Sequence, residues 1–213
     1  MTEVLRNGVL DGVAVCVAGA TAKGAAGAAD GATGAAAYPA AEGTAGGTAA
    51  AAVAARCAAL GATVAHLDAD LDDEDAVIAA TEAAGPIDVV VCDAAPAFRA
   101  AGAGVPGLRA AVDGTWNAVR AVVASRWAGD DGENDGGKVV LVAPPADAGE
   151  AAAATGAALE NAARTLSVEW ARFGVRVVAL RPAADSPDEI AELVAFLASP
   201  GGDYFSGCTF SLR

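Results

Sequence analysis

The 213-residue sequence predicts a single α/β domain built on a doubly wound, mostly parallel sheet of about seven strands, with helices on both faces. Three observations carry this. Short apolar, β-branched runs recur at residues 13–18, 89–92, 138–143 and 175–180, and each is continuous rather than alternating. That is the pattern of strands covered on both faces. Segments of helical period lie between them, and glycines or turn residues separate the two, so a strand–helix–strand order repeats.

The clearest helix spans residues 150–173. Leu159, Ala162, Ala163, Leu166 and Trp170 recur on one face, while Glu160, Arg164, Glu169 and Arg172 punctuate the other. Gly174 supplies its stop, and the strand at 175–180 follows at once. From the N-terminus, residues 13–18 (VAVCVA) form a first strand ending in a turn at Gly19. A glycine-rich stretch, GATAKGAAG, leads into a very short helix and a weak second strand ending near Tyr38. An alanine-rich helix at 48–60 stops at Gly61, and residues 62–68 form a third strand. Helices are expected at 75–84, 106–127 and 187–197, and a polar glycine-rich surface loop at 128–138.

Composition narrows the possible functions. The net charge of −14 argues against nucleic acid or an anionic membrane as partner, because phosphate binding requires clustered Lys and Arg. Alanine raises the mean hydropathy, yet no run of 18 strongly apolar residues occurs, and MTEVLRNGVLDG lacks a basic-then-apolar leader pattern. A cytoplasmic location is the expectation. Cys16, Cys57, Cys92 and Cys208 are far apart and accompanied by one histidine, His66, so small buried thiols are expected rather than a metal site. Cys57 falls in a helix and the other three in predicted strands.

The string ALENAARTLSVEWARFGVRVVALRP, residues 158–182, closely resembles the active-site helix and following strand of the short-chain dehydrogenase/reductase family. The resemblance extends in strand–helix order over nearly the whole chain, strongest at residues 114–122, 157–182 and 189–207, and it implies a Rossmann-like fold. It also implies a site whose chemistry is gone. The family's Tyr-x-x-x-Lys falls on Ala152 and Gly156, its catalytic serine on Pro144 or a neighbour, and its catalytic asparagine on Ala111. Lysine occurs only at Lys23 and Lys138 and tyrosine only at Tyr38 and Tyr204, so no shift of alignment restores the pair. The tyrosine moves the substrate's proton and the lysine lowers its pKa, and neither alanine nor glycine can do so. Residues 183–187 pass almost directly into the last helix, where the family inserts a substrate lid.

The cofactor positions implied by the resemblance are Gly19, Gly24, Asp70 and Ala94, all vestigial. Gly24 and Gly27 are displaced from the family's Thr-Gly-x-x-x-Gly-x-Gly loop, and Ala18 replaces its threonine. Tyr38-Pro39 carries no acidic or basic group where the family selects between NAD and NADP. An alternative register makes residues 43–47 (GTAGG) the phosphate loop and 19–42 a long insertion. Asp70 matches the family's adenine-binding aspartate, while the acidic run from Asp70 to Asp75 equally suits capping of the next helix. Cys92, Asp93, Ala94 and Ala95 take the place of the family's Asn-Asn-Ala-Gly turn. Gly114, Thr115 and Asn117 are retained as packing and turn residues.

Three functions follow as expectations. The first is a catalytically inactive subunit that assembles with an active dehydrogenase paralogue, or with itself, through helices 106–127 and 150–173 and the C-terminal segment. The second is a sensor that binds NAD(P)(H) weakly without turnover. The third is a reductase with a site rebuilt around Tyr204 or His66. No metal, and no firmly bound cofactor, is expected.

Overall fold

The computed structural model describes residues 5–19, 48–128 and 136–213. Its centre is a parallel six-stranded sheet in the order β2-β1-β3-β4-β5-β6. The strands are β1 (Ala14–Ala18), β2 (Thr63–Leu67), β3 (Val89–Asp93), β4 (Lys138–Val142), β5 (Arg176–Pro182) and β6 (Thr209–Leu212). The helices are α1 (Ala49–Ala59), α2 (Glu74–Ala83), α3 (Ala95–Ala100), α4 (Val105–Val122), α5 (Ala152–Glu169) and α6 (Pro187–Ala198). The continuous apolar runs read as two-sided strands are just that. Cys16, Val90, Leu141 and Val177 face a core covered by α2, α4 and α5, whereas Val17, Val91, Val140 and Val178 face a second core covered by α1 and α6.

One assignment is corrected. The strand expected third, at 62–68, is hydrogen-bonded directly to β1, with Ala14 opposite Thr63 and Ala18 opposite Leu67. It therefore stands in the second place, and α1 is the crossover of the first βαβ unit. Six strands, rather than about seven, make up the sheet among the described residues. The second strand expected near Tyr38, and residues 43–47, lie outside the described residues.

The helix boundaries have local causes. Thr48 caps α1 by accepting the amide of Ala51 at 3.2 Å, and Asp73 caps α2 by accepting that of Ala76 at 3.1 Å. After α4 the chain takes one π turn over Val123–Trp127, which directs Trp127 into the core, where its indole donates to the Ile87 carbonyl at 2.8 Å. Arg126 donates to the carbonyls of Thr81 and Glu82 at the end of α2, at 2.9 and 3.1 Å. Asn117 donates to the Leu71 carbonyl at 2.8 Å, Gly114 leaves room for Leu71, and Thr115 is buried, so this retained trio performs the packing and turn roles expected of it. Gly174 ends the α5 region in the left-handed conformation at φ 71°, which a β-carbon would strain.

Lys138, the first residue of β4, ties the sheet to α6. Its ammonium donates to the carbonyls of Ala198 and Ser199 at 3.0 and 2.7 Å and pairs with Asp203 at 2.6 Å. A cation at a helix C-terminus satisfies orphan carbonyls and complements the helix dipole. Lys138→Ala should therefore destabilise the fold by about 2 kcal/mol, the scale of a part-buried, charge-assisted hydrogen-bond set, read as a lower urea midpoint with unchanged slope.

Candidate functional site

From β1 the chain runs outward to β2 on one side, then crosses back to β3 on the other. The carboxyl ends of β1 and β3 thus form the topological switch point, where open α/β sheets bind their ligands. Gly19 leaves β1 there at φ 98°, and a β-carbon at this position would run into the main-chain carbonyl of Asp93. The close approach of the two strand exits requires glycine at this point, whatever else the residue does. The amino ends of α1 and α3 converge on the same place. A cleft of about 280 Å³, its open mouth included, is lined by Thr48, Asp93, Pro96, Arg99, Pro145 and Asp185 among the described residues.

Asp93 dominates this cleft. Its side chain is buried, with one carboxylate oxygen accepting the amide of Ala50 in α1 at 3.2 Å and the other the amide of Ala95 in α3 at 3.1 Å. Burial pushes its pKa up to about 6, against the pull of those two amides and of Arg99. Arg99 in turn pairs with Asp185 at 2.8 Å, joining α3 to the turn before α6 across the rim of the cleft. The sequence carried a signal for this arrangement. An aspartate two residues before a helix with proline in its first turn is a capping pattern, and both α3 and the bridging role of Asp93 went unread because the helix is only six residues long.

Of the residues expected to hold a dinucleotide, Gly19 and Ala94 reach the switch point. Ala94 is buried and its amide donates to the Val142 carbonyl at 3.0 Å, which fixes the exit of β3 against β4. Asp70 accepts the amide of Asp72 at 3.2 Å, closing the turn that delivers Asp73 to its capping position. Gly24 lies outside the described residues.

The positions matching the family's catalytic groups are closed by packing. Ala111 on α4 and Ala152 at the start of α5 are each 1% exposed and share the core cluster of Ala143, and Pro144 is buried behind β4. Gly156 is buried too, and a β-carbon there would lie 3.1 Å from Nε of Arg181. Arg181 is held over the glycine by Glu160 at 3.1 Å, and Glu160 also pairs with Arg164 at 2.6 Å. The structure does not bring together the two residues considered for a rebuilt site. Tyr204 is 89% exposed in the turn before β6, next to the Asp203–Lys138 pair at the amino end of β4 and so at the opposite end of the sheet. His66 is exposed on β2, beyond β1.

Cys16, Cys57 and Cys92 are buried free thiols, all raised by desolvation, the first two to about 11. Cys208, expected in a strand, immediately precedes β6 and is part-exposed. No group of three or more His, Cys, Asp or Glu side chains is placed to hold a metal ion among the described residues, and no described helix is long and apolar enough to cross a membrane.

The sequence matches no protein-family model and no curated protein. Its fold is that of the short-chain dehydrogenase/reductases. A citronellol catabolism dehydrogenase from Pseudomonas aeruginosa superimposes with a TM-score of 0.69 at 21% identity, covering 99% of this chain and 97% of that one. A short-chain dehydrogenase from Mycobacterium smegmatis gives 0.68 at 22% identity, covering 100% and 96%. A hydroxysteroid dehydrogenase from Escherichia coli gives 0.67 at 15% identity, covering 95% of each chain. At these identities the likeness is one of fold.

The raised pKa of Asp93 has a signed consequence. Its folded value of about 6 exceeds the ordinary 3.8, so the folded chain binds the proton more tightly than the unfolded one. The stability contributed by this group is fully present below the ordinary value and is lost as pH rises through about 6. The difference in unfolding free energy between wild type and Asp93→Asn should therefore shift in favour of wild type on going from pH 7.5 to pH 5, by about 1.4 kcal/mol, in paired urea titrations.

Proposed function

We propose that this chain is a catalytically inactive member of the short-chain dehydrogenase/reductase family that assembles with an active paralogue and supports it structurally. The observation that carries the reading is the contrast between the two sides of α4 and α5. On the inner side, the positions that match the family's proton-transfer groups are methyl groups and a glycine, and packing has closed around them. On the outer side, apolar surface is left open. Trp116 is 44% exposed and stacks on Trp170, with ring centroids 6.1 Å apart and planes 17° from parallel. Val105 and Val168 are 69% and 76% exposed.

The half-open indole of Trp116 and two exposed valines on neighbouring helices favour burial against another helical surface, since apolar area gains roughly 25 cal/mol per Å² when removed from water. A hetero-oligomer is favoured over self-association by charge. Two copies at −14 each repel, and a less acidic partner is repelled less. In this arrangement the partner supplies the dinucleotide, the tyrosine and the lysine, and this chain supplies a folded, inert surface. Reactions of NAD(P) therefore belong to the partner's site, and no proton-transfer step is assigned to this chain.

Recovery of the tagged chain from its own host, followed by native mass spectrometry, tests the reading. The expected result is a stoichiometric complex with a dehydrogenase that carries Tyr-x-x-x-Lys. Trp116→Asp should abolish that complex while leaving the far-ultraviolet circular dichroism unchanged, because the residue is a surface one. A chain that remains alone, or that turns over a nicotinamide cofactor by itself, would overturn the proposal.

A further inference from the structure

The amino end of the first helix at a switch point is where a doubly wound fold receives a phosphate, because unpaired amides and the helix dipole converge there on an anion. In this protein an anion is already present, and it is part of the chain. The Asp93 carboxylate, 4% exposed, accepts from Ala50 of α1 on one oxygen and from Ala95 of α3 on the other, and so bridges the amino ends of two helices. Among the described residues, the charged groups facing it are Arg99 of α3 and Asp185 of the turn before α6, which are paired with each other. The α1 residues lining the same cleft, Thr48 and Ala49, carry no charge.

A second negative group brought to these amides would have to displace a carboxylate from two hydrogen bonds and would meet its charge in a poorly solvated place. Both effects act against binding. The Arg99–Asp185 pair is about half exposed on both sides and counts for little, so the buried carboxylate decides the matter.

We infer that Asp93 is an internal stand-in for a ligand phosphate, an autoinhibitory contact that keeps the switch-point crevice closed to dinucleotides. This deepens the reading of the chain as an inert subunit and rests on it. It assigns the loss of cofactor binding to one side chain rather than to the general decay of a site.

The test uses NAD⁺ as probe, titrated calorimetrically into the full chain at low ionic strength. At pH 7.5 wild type should give no saturable heat up to about 1 mM ligand, whereas Asp93→Asn, which keeps the shape and removes the charge, should bind at least about tenfold more tightly than that limit. Arg99→Gln alone should leave wild-type behaviour unchanged. If Asp93→Asn does not fold, wild type itself serves. The pyrophosphate diester keeps its charge between pH 7.5 and pH 5.5, so binding that emerges in wild type at pH 5.5 tracks neutralisation of Asp93. Wild type that binds NAD⁺ in the micromolar range at pH 7.5 overturns the inference, as does a folded Asp93→Asn variant that binds no better. Either failure is separable from failure of the assembly proposal, because recovery of a partner complex does not depend on whether this chain binds NAD⁺.

Discussion

The structure depends on the two-sided burial of β1, β3, β4 and β5. A parallel strand in the middle of a sheet has no face that can be wet, so each of its side chains must find apolar cover. Alternate residues of these four strands feed two separate cores, one under α2, α4 and α5 and the other under α1 and α6. This explains why alanine-rich helices suffice. The strands supply the bulk as valine and leucine, and the helices need only lie flat upon them. The cores reach the carboxyl ends of the strands as well, where Ala18, Leu67 and Val142 are buried.

That separation accounts for what could be read from sequence. The runs at 89–92, 138–143 and 175–180 were legible because two-sided burial leaves a continuous apolar signature. The helix at 150–173 was legible because its period, its polar face and Gly174 all agreed. Strand order was not. Residues 62–68 read correctly as a strand, but their place beside β1 depends on hydrogen bonds to a strand some fifty residues earlier, and local pattern contains no such information. The weak pattern of residues 19–47 made room for a strand that pushed β2 one place outward in the sequence reading.

The candidate site was legible in a different sense. Its missing groups could be named from resemblance alone, since an alanine or a glycine is visible in a sequence. What replaced them could not. Asp93 seemed an ordinary loss of an amide at the exit of β3, and only the convergence of α1 and α3 gives that carboxylate two partners. Arg181 is separated from Gly156 by a helix, a turn and a strand, and their contact is a property of the fold.

The Gly156–Arg181 contact bears on which side chains position 156 accepts. At this helix position the glycine leaves room for Arg181 of the adjacent strand, which is fastened by Glu160, itself paired with Arg164. A lysine at position 156 would require Arg181 to be moved and its pairing with Glu160 to be dissolved. The packing works as a lock on position 156, its key held by a residue of the neighbouring strand.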